Sequence, residues 1–87
     1  MASKSKASET VLSARDAALI AANYVKALIR ETHDILIEEV EYESKAGRWF
    51  ITLSFYVGVM AMGRRDYKIF TLDAKSGEVL SMKIREV

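Results

Sequence analysis

From Ser13 onward the apolar residues recur at helical spacing. Ala14, Ala17, Ala18, Ala21, Tyr24, Val25 and Leu28 share one side, while Arg15, Asn23, Lys26 and Arg30 share the other. This predicts a helix over about 14–31. Ser13 suits its N-cap, and Asp16, three residues on, completes a capping-box pattern and sits well at the positive end of the helix dipole. The alanines of the inner face predict close approach to a sheet. After His33 the period falls to two: Leu36, Val40 and Tyr42 alternate with Ile37, Glu39, Glu41 and Glu43. Ser44, Lys45, Ala46 and Gly47 form a turn. RWFITLSFYV over 48–57 puts Trp49, Ile51, Leu53, Phe55 and Val57 on one side and Phe50, Thr52, Ser54 and Tyr56 on the other. A third strand is predicted over 67–72, a turn over 73–78 with Ser76 and Gly77, and a last strand over 79–85. The expected fold is a single α+β domain over 13–87, in the order α-β-β-β-β. One N-terminal helix packs on a curved four-stranded antiparallel sheet. Residues 1–12 hold little to bury and read as a flexible tail.

Hairpin turns set registers that can be checked for consistency. Pairing Glu43 with Arg48 places Tyr42 opposite Trp49 and Val40 opposite Ile51. Pairing Asp73 with Glu78 places Ile69 opposite Met82 and Tyr67 opposite Ile84. Two conflicts remain. Glu38 falls on the apolar side beside Leu53, which a bulge near Glu38 and Glu39 would relieve, and Lys68 faces Lys83.

These registers put Tyr42, Trp49, Ile51, Leu53, Phe55, Ile69, Met82 and Ile84 beneath the helix. They send Ile35, Ile37, Phe50, Tyr56, Phe70, Leu72 and Val79 to the opposite face, with Thr52, Ser54 and Ser81 among them. One helix covers only one face. Burying a large apolar side chain is worth about 1.5–3 kcal/mol, and several together exceed the patch a soluble monomer exposes. The open face is therefore expected to pack against another sheet. A homodimer about a two-fold axis is the simplest case, and another protein partner would serve equally. Phe50, Tyr56, Phe70, Leu72 and Val79 would be the anchors. Two blander readings compete: sheet twist scatters these residues, or the tail covers them.

Composition narrows the chemistry. Thirteen Lys and Arg against twelve Asp and Glu give a net charge of +1, so no global field favours nucleic acid or an anionic membrane. There is no Cys, and His33 is the sole His, so thiol, multi-His and Ser-His sites are excluded. Ser13 and Ser54 lack a base. The longest charge-free stretch, 49–63, has fifteen residues, too few for a membrane-spanning helix. No Gly-rich phosphate loop follows a strand. The expectation is no enzyme activity, no cofactor, no metal and no small-molecule substrate. The chain as it stands shows no secretory signal and reads as cytoplasmic, or as extracytoplasmic if a signal has been removed.

Three polar groups merit a second reading. Glu39, Glu41 and Glu43 share one strand face, but a hard cation needs more converging oxygens than one strand offers, so a solvated edge-protecting face is preferred. Arg64, Arg65 and Lys68 would touch phosphate weakly at best. His33 lies just past the helix C-terminus, where a cation is favourable.

YKIFTLDAKSGEVLSM over 67–82 resembles the C-terminal hairpin of PepSY-type domains: a strand ending in Asp-Ala, a turn with Thr- or Ser-Gly, then Glu-Val-Leu. Asp73, Ala74, Ser76, Gly77, Glu78, Val79 and Leu80 match that pattern. With the Ala-rich helix from Ala14 and the strand from Trp49, the resemblance covers most of 14–84. It implies a cystatin-like shape and a role in inhibiting or regulating peptidases, usually outside the cytoplasm. The apolar segment 58–63, with Met60 and Met62, is either a tip that enters a partner's groove or a continuation of the second strand bent at Gly58. The leading expectation is a non-enzymatic binding module. The alternative is a PepSY-type peptidase regulator acting through 58–63.

Overall fold

Ser13 is extended, with φ −73° and ψ 162°, and its Oγ accepts the Asp16 N–H at 3.0 Å in the computed structural model, which describes residues 10–58 and 65–85. Helix α1 (Ala14–Leu28) starts at that cap and buries Ala17, Ala18, Ala21 and Val25. It ends three residues short of the predicted limit. Ile29 has already left helical geometry, with φ −111° and ψ 115°, and packs against the core. Glu31 then takes a positive φ of 57°, which turns the chain back toward the sheet.

Four antiparallel strands follow: β1 (Thr32–Glu43), β2 (Arg48–Val57), β3 (Asp66–Asp73) and β4 (Val79–Ile84). They lie side by side in chain order, and α1 covers β1, β2 and the near part of β3. The α+β architecture is the one the periodicities predict. Between β1 and β2 the register is also as expected: Glu43 pairs with Arg48, Tyr42 with Trp49 and Val40 with Ile51. A shift falls between Ile37 and Glu39, where Glu38 stood in conflict with Leu53, and a second falls between His33 and Leu36.

The sides assigned to several residues need correction. Phe70 and Leu72 pair with Ile51 and Trp49, so both lie beneath the helix, fully buried, and not on the open face. Val79 pairs with Leu72 and packs against the same core. Ile69 pairs with Thr52 and takes the open side instead. The cause is that β3 is apolar on both parities, so pairing with β2 decides the side. The last hairpin opens as expected, with Leu72 opposite Val79. A shift then places Thr71 opposite Ser81 and Phe70 opposite Met82. That shift also takes Lys68 off Lys83 and onto Ile84.

Ile37 pairs with Leu53, and Ile35 packs against the core, so these two also leave the open face. An inserted residue inverts the side of everything before it on the strand.

The predicted tail is corrected at its inner end. Val11 and Leu12 pack against the core. The Leu12 N–H donates to the Ala74 carbonyl at 2.7 Å, and the Leu12 carbonyl accepts from Trp49 Nε1 at 3.1 Å. This segment sits over Gly77, which has φ +81°. A Cβ there would lie 2.8 Å from Ile20 Cδ1 and 3.2 Å from Leu12 Cδ1, so these side-chain ends would have to shift, and the positive φ itself favours glycine.

Phe55, Phe70, Ile51, Leu53, Leu72 and Val25 are the largest fully buried apolar side chains. Tyr24 closes the β3 side of this core, edge-on to Phe70 with ring centroids 6.1 Å apart.

Candidate functional site

β2 sends Phe50, Thr52, Ser54 and Tyr56 away from the helix. Thr52 is 3% exposed and Ser54 0%, although no helix lies over them. Their cover is polar. Arg65 Nε donates to Ser54 Oγ at 2.8 Å, and its Nη2 donates to the Ser54 carbonyl at 2.9 Å and to the Asp34 carbonyl. Its Nη1 lies 3.7 Å from the Asp34 carboxylate, and the guanidinium stacks 4.7 Å above the Tyr56 ring. The Ser54 hydroxyl in turn donates to Glu38 Oε2 at 2.7 Å.

A second network lies alongside. Arg85, just past β4, donates to Glu39 Oε1 and, at 3.3 Å, to Thr52 Oγ1. Thr52 Oγ1 donates to Glu39 Oε1 at 3.4 Å. The hydrogen bond from Arg85 holds the Glu39 carboxyl below its ordinary range, aided by the Arg85 charge and Thr52 and opposed by partial desolvation. The bulge makes this possible, because it turns both Glu38 and Glu39 toward the open side.

The expected anchors therefore separate. Phe50 and Tyr56 are on the open face, both half-buried, with Phe50 between Glu41 and Thr71 and Tyr56 beneath Arg65. Phe70, Leu72 and Val79 are on the helix side. Met60, Met62 and Arg64 lie outside the described residues, as does the 58–63 segment beyond Gly58.

The other polar candidates are engaged locally. Glu43 Oε1 accepts the Ala46 N–H at 3.2 Å. His33 Nε2 lies 2.8 Å from the Gly58 carbonyl, linking the start of β1 to the end of β2. Asp73 accepts N–H groups of Ser76 at 2.8 Å and Lys75 at 3.1 Å. The Ser76 bonds chiefly hold its carboxyl below the usual value. An open cleft of about 400 Å³ lies at this turn end, lined in part by Tyr42, Ser44, Lys45, Asp73 and Lys75, but the Asp73 carboxylate there is committed to the turn. Among the described residues, no three His, Cys, Asp or Glu side chains are grouped to hold a metal ion.

Both edge strands expose large apolar side chains: Leu36, Ile37, Val40 and Tyr42 on β1, interleaved with glutamates, and an uninterrupted set on β4. Leu80, Met82 and Ile84 of β4 are 42%, 37% and 74% exposed. β4 is an edge strand beyond the main footprint of α1. The Arg85 N–H donates to the Tyr67 carbonyl at 2.9 Å. By antiparallel alternation, the backbone groups of Ser81 and Lys83 also face β3, and those of Met82 and Ile84 face outward. The other edge, β1, is shifted twice and carries Glu38, Glu39, Glu41 and Glu43, two devices that blunt an edge.

The arginine covers were missed because a lone arginine at a strand end gives no periodic signal. Glu38 opposite Leu53 was the one available clue. Comparison with family models, with curated proteins and with solved structures finds no match.

Proposed function

We propose that this protein is a non-enzymatic docking module that receives an extended protein segment along the outer edge of β4. One observation carries the reading: three large apolar side chains stand exposed on an edge strand whose Met82 and Ile84 backbone groups face away from the sheet. Strand addition uses such an edge directly. Main-chain hydrogen bonds supply affinity, and alternate side chains supply specificity. The open face is less suited to a greasy partner, because docking there would disrupt two charged networks whose members would be left unpaired. A single His and no Cys support the non-enzymatic reading. The peptidase-regulator alternative depends on 58–63, of which only Gly58 is among the described residues.

The test is to select binders from a library of extended peptides and to map amide exchange with and without them. Bound peptides are expected to slow exchange at Met82 and Ile84, and Met82→Lys should weaken them at least about tenfold, or 1.4 kcal/mol. Binders that leave the β4 amides unchanged would overturn the proposal.

A further inference from the structure

We infer that the occupant of the β4 edge is a second copy of this chain, paired antiparallel, β4 to β4, about a two-fold axis through Met82. This rests on the docking reading above and names its partner. The register carries the inference. Centring on Met82 sets Met82 opposite its own copy, Leu80 opposite Ile84, Ser81 opposite Lys83, and Val79 opposite Arg85. Within residues 79–85 each exposed apolar residue then meets an apolar residue, and no like charges face each other.

Neighbouring registers fail this test. Centring on Lys83 puts lysine against lysine. Centring on Ser81 puts Ile84 against Glu78. Centring on Met82 also places outward-facing backbone groups opposite one another, as hydrogen-bonded pairs require. The β1 edge of another copy is a poorer occupant, since it is shifted twice and lined by Glu38, Glu39, Glu41 and Glu43, whereas β4 carries one shift, at Leu80, and runs regularly over 81–84. A net charge of +1 raises little barrier to self-association. β4 has six residues, against about 20–30 a side in a standard interface, so the dimer is weak.

Sedimentation equilibrium of the full chain tests this between about 10 µM and about 1 mM, the range in which a weak dimer forms. The expected result is a reversible dimer at the upper end and monomer at the lower. Met82→Lys sets two lysines face to face and should remove the dimer. Ser81→Glu faces Lys83 twice across the axis and should tighten it about 3–10-fold, a gain that misfolding cannot mimic. The chain has no native Cys, so single substitutions report register directly. With oxidised glutathione, Met82→Cys should cross-link in preference to Lys83→Cys. A dimer indifferent to Met82→Lys overturns the inference, as does preferential cross-linking of Lys83→Cys. A monomer at about 1 mM whose β4 amides are still protected by selected peptides overturns the self-pairing and leaves the docking reading standing. A monomer that no peptide protects at β4 overturns both.

Discussion

The two sides of β2 are buried to a similar extent by opposite means. Ile51, Leu53 and Phe55 are sealed by α1 and neighbouring apolar side chains. Thr52 and Ser54 are sealed under Arg65, Arg85, Glu38 and Glu39. The first side depends on dispersion and exclusion of water, which tolerate changes of charge state. The second depends on complete hydrogen bonding, because a buried hydroxyl without partners is costly. A sheet face without a helix is therefore not obliged to wait for a second protein. Two long cationic side chains, lying flat over short hydroxyl residues, can close it from within.

The largest effect should come from the helix side. Phe70→Ala is expected to lose about 3–5 kcal/mol in urea unfolding, with a cavity opening beneath Tyr24. A loss typical of a surface site would show that Phe70 does not belong to the core. Next is the contact between α1 and the last turn. Gly77→Ala forces a side chain into a positive φ and against Ile20, and should cost about 2–4 kcal/mol by thermal or chemical unfolding.

The polar side should respond less, and with a different chemical signature. Arg65→Ala leaves the Ser54 hydroxyl and carbonyl short of donors, and should cost about 1–3 kcal/mol. Arg65→Lys should recover only part of this, since an ammonium cannot fork between Ser54 and Asp34. Full recovery by lysine would mean that charge alone matters there, and would weaken the contrast between the two faces.

The smallest effect is a pH dependence confined to the polar side. The Glu39 carboxyl is held below its ordinary value of 4.5, chiefly by Arg85. Its contribution is complete above that ordinary value and is lost as pH falls through the lowered folded value. Glu39→Gln should therefore be less stable than the parent at about pH 7, and the two should converge at about pH 2. Urea midpoints at both pH values check this. A constant gap across the range would show that Glu39 contributes nothing as a carboxylate.

Much of the fold was legible in the residues. The alanine stripe with Ser13 and Asp16 marked the helix and its cap, and strict alternation from Arg48 to Val57 marked β2. The misfit of Glu38 against Leu53 even located a bulge. The candidate site was less legible. Phe70 and Leu72 looked like open-face anchors because the side assigned to β3 was inferred from the hairpin with β4. That hairpin has an extra residue at Leu80, so parity carried across it inverts. Arg65 and Arg85 left no periodic trace, since each acts through reach and not through register.

By itself the sequence determined the elements, their order and the first hairpin's register. These follow from local periodicity, turn residues and composition, all of which act over short stretches of chain. Only the tertiary structure decided which side of β3 is buried, that Val11 and Leu12 belong to the core, and that arginines close the open face. Those outcomes depend on pairings between distant strands, where one inserted residue exchanges the two faces and a long side chain can cross a neighbouring strand to find its partner.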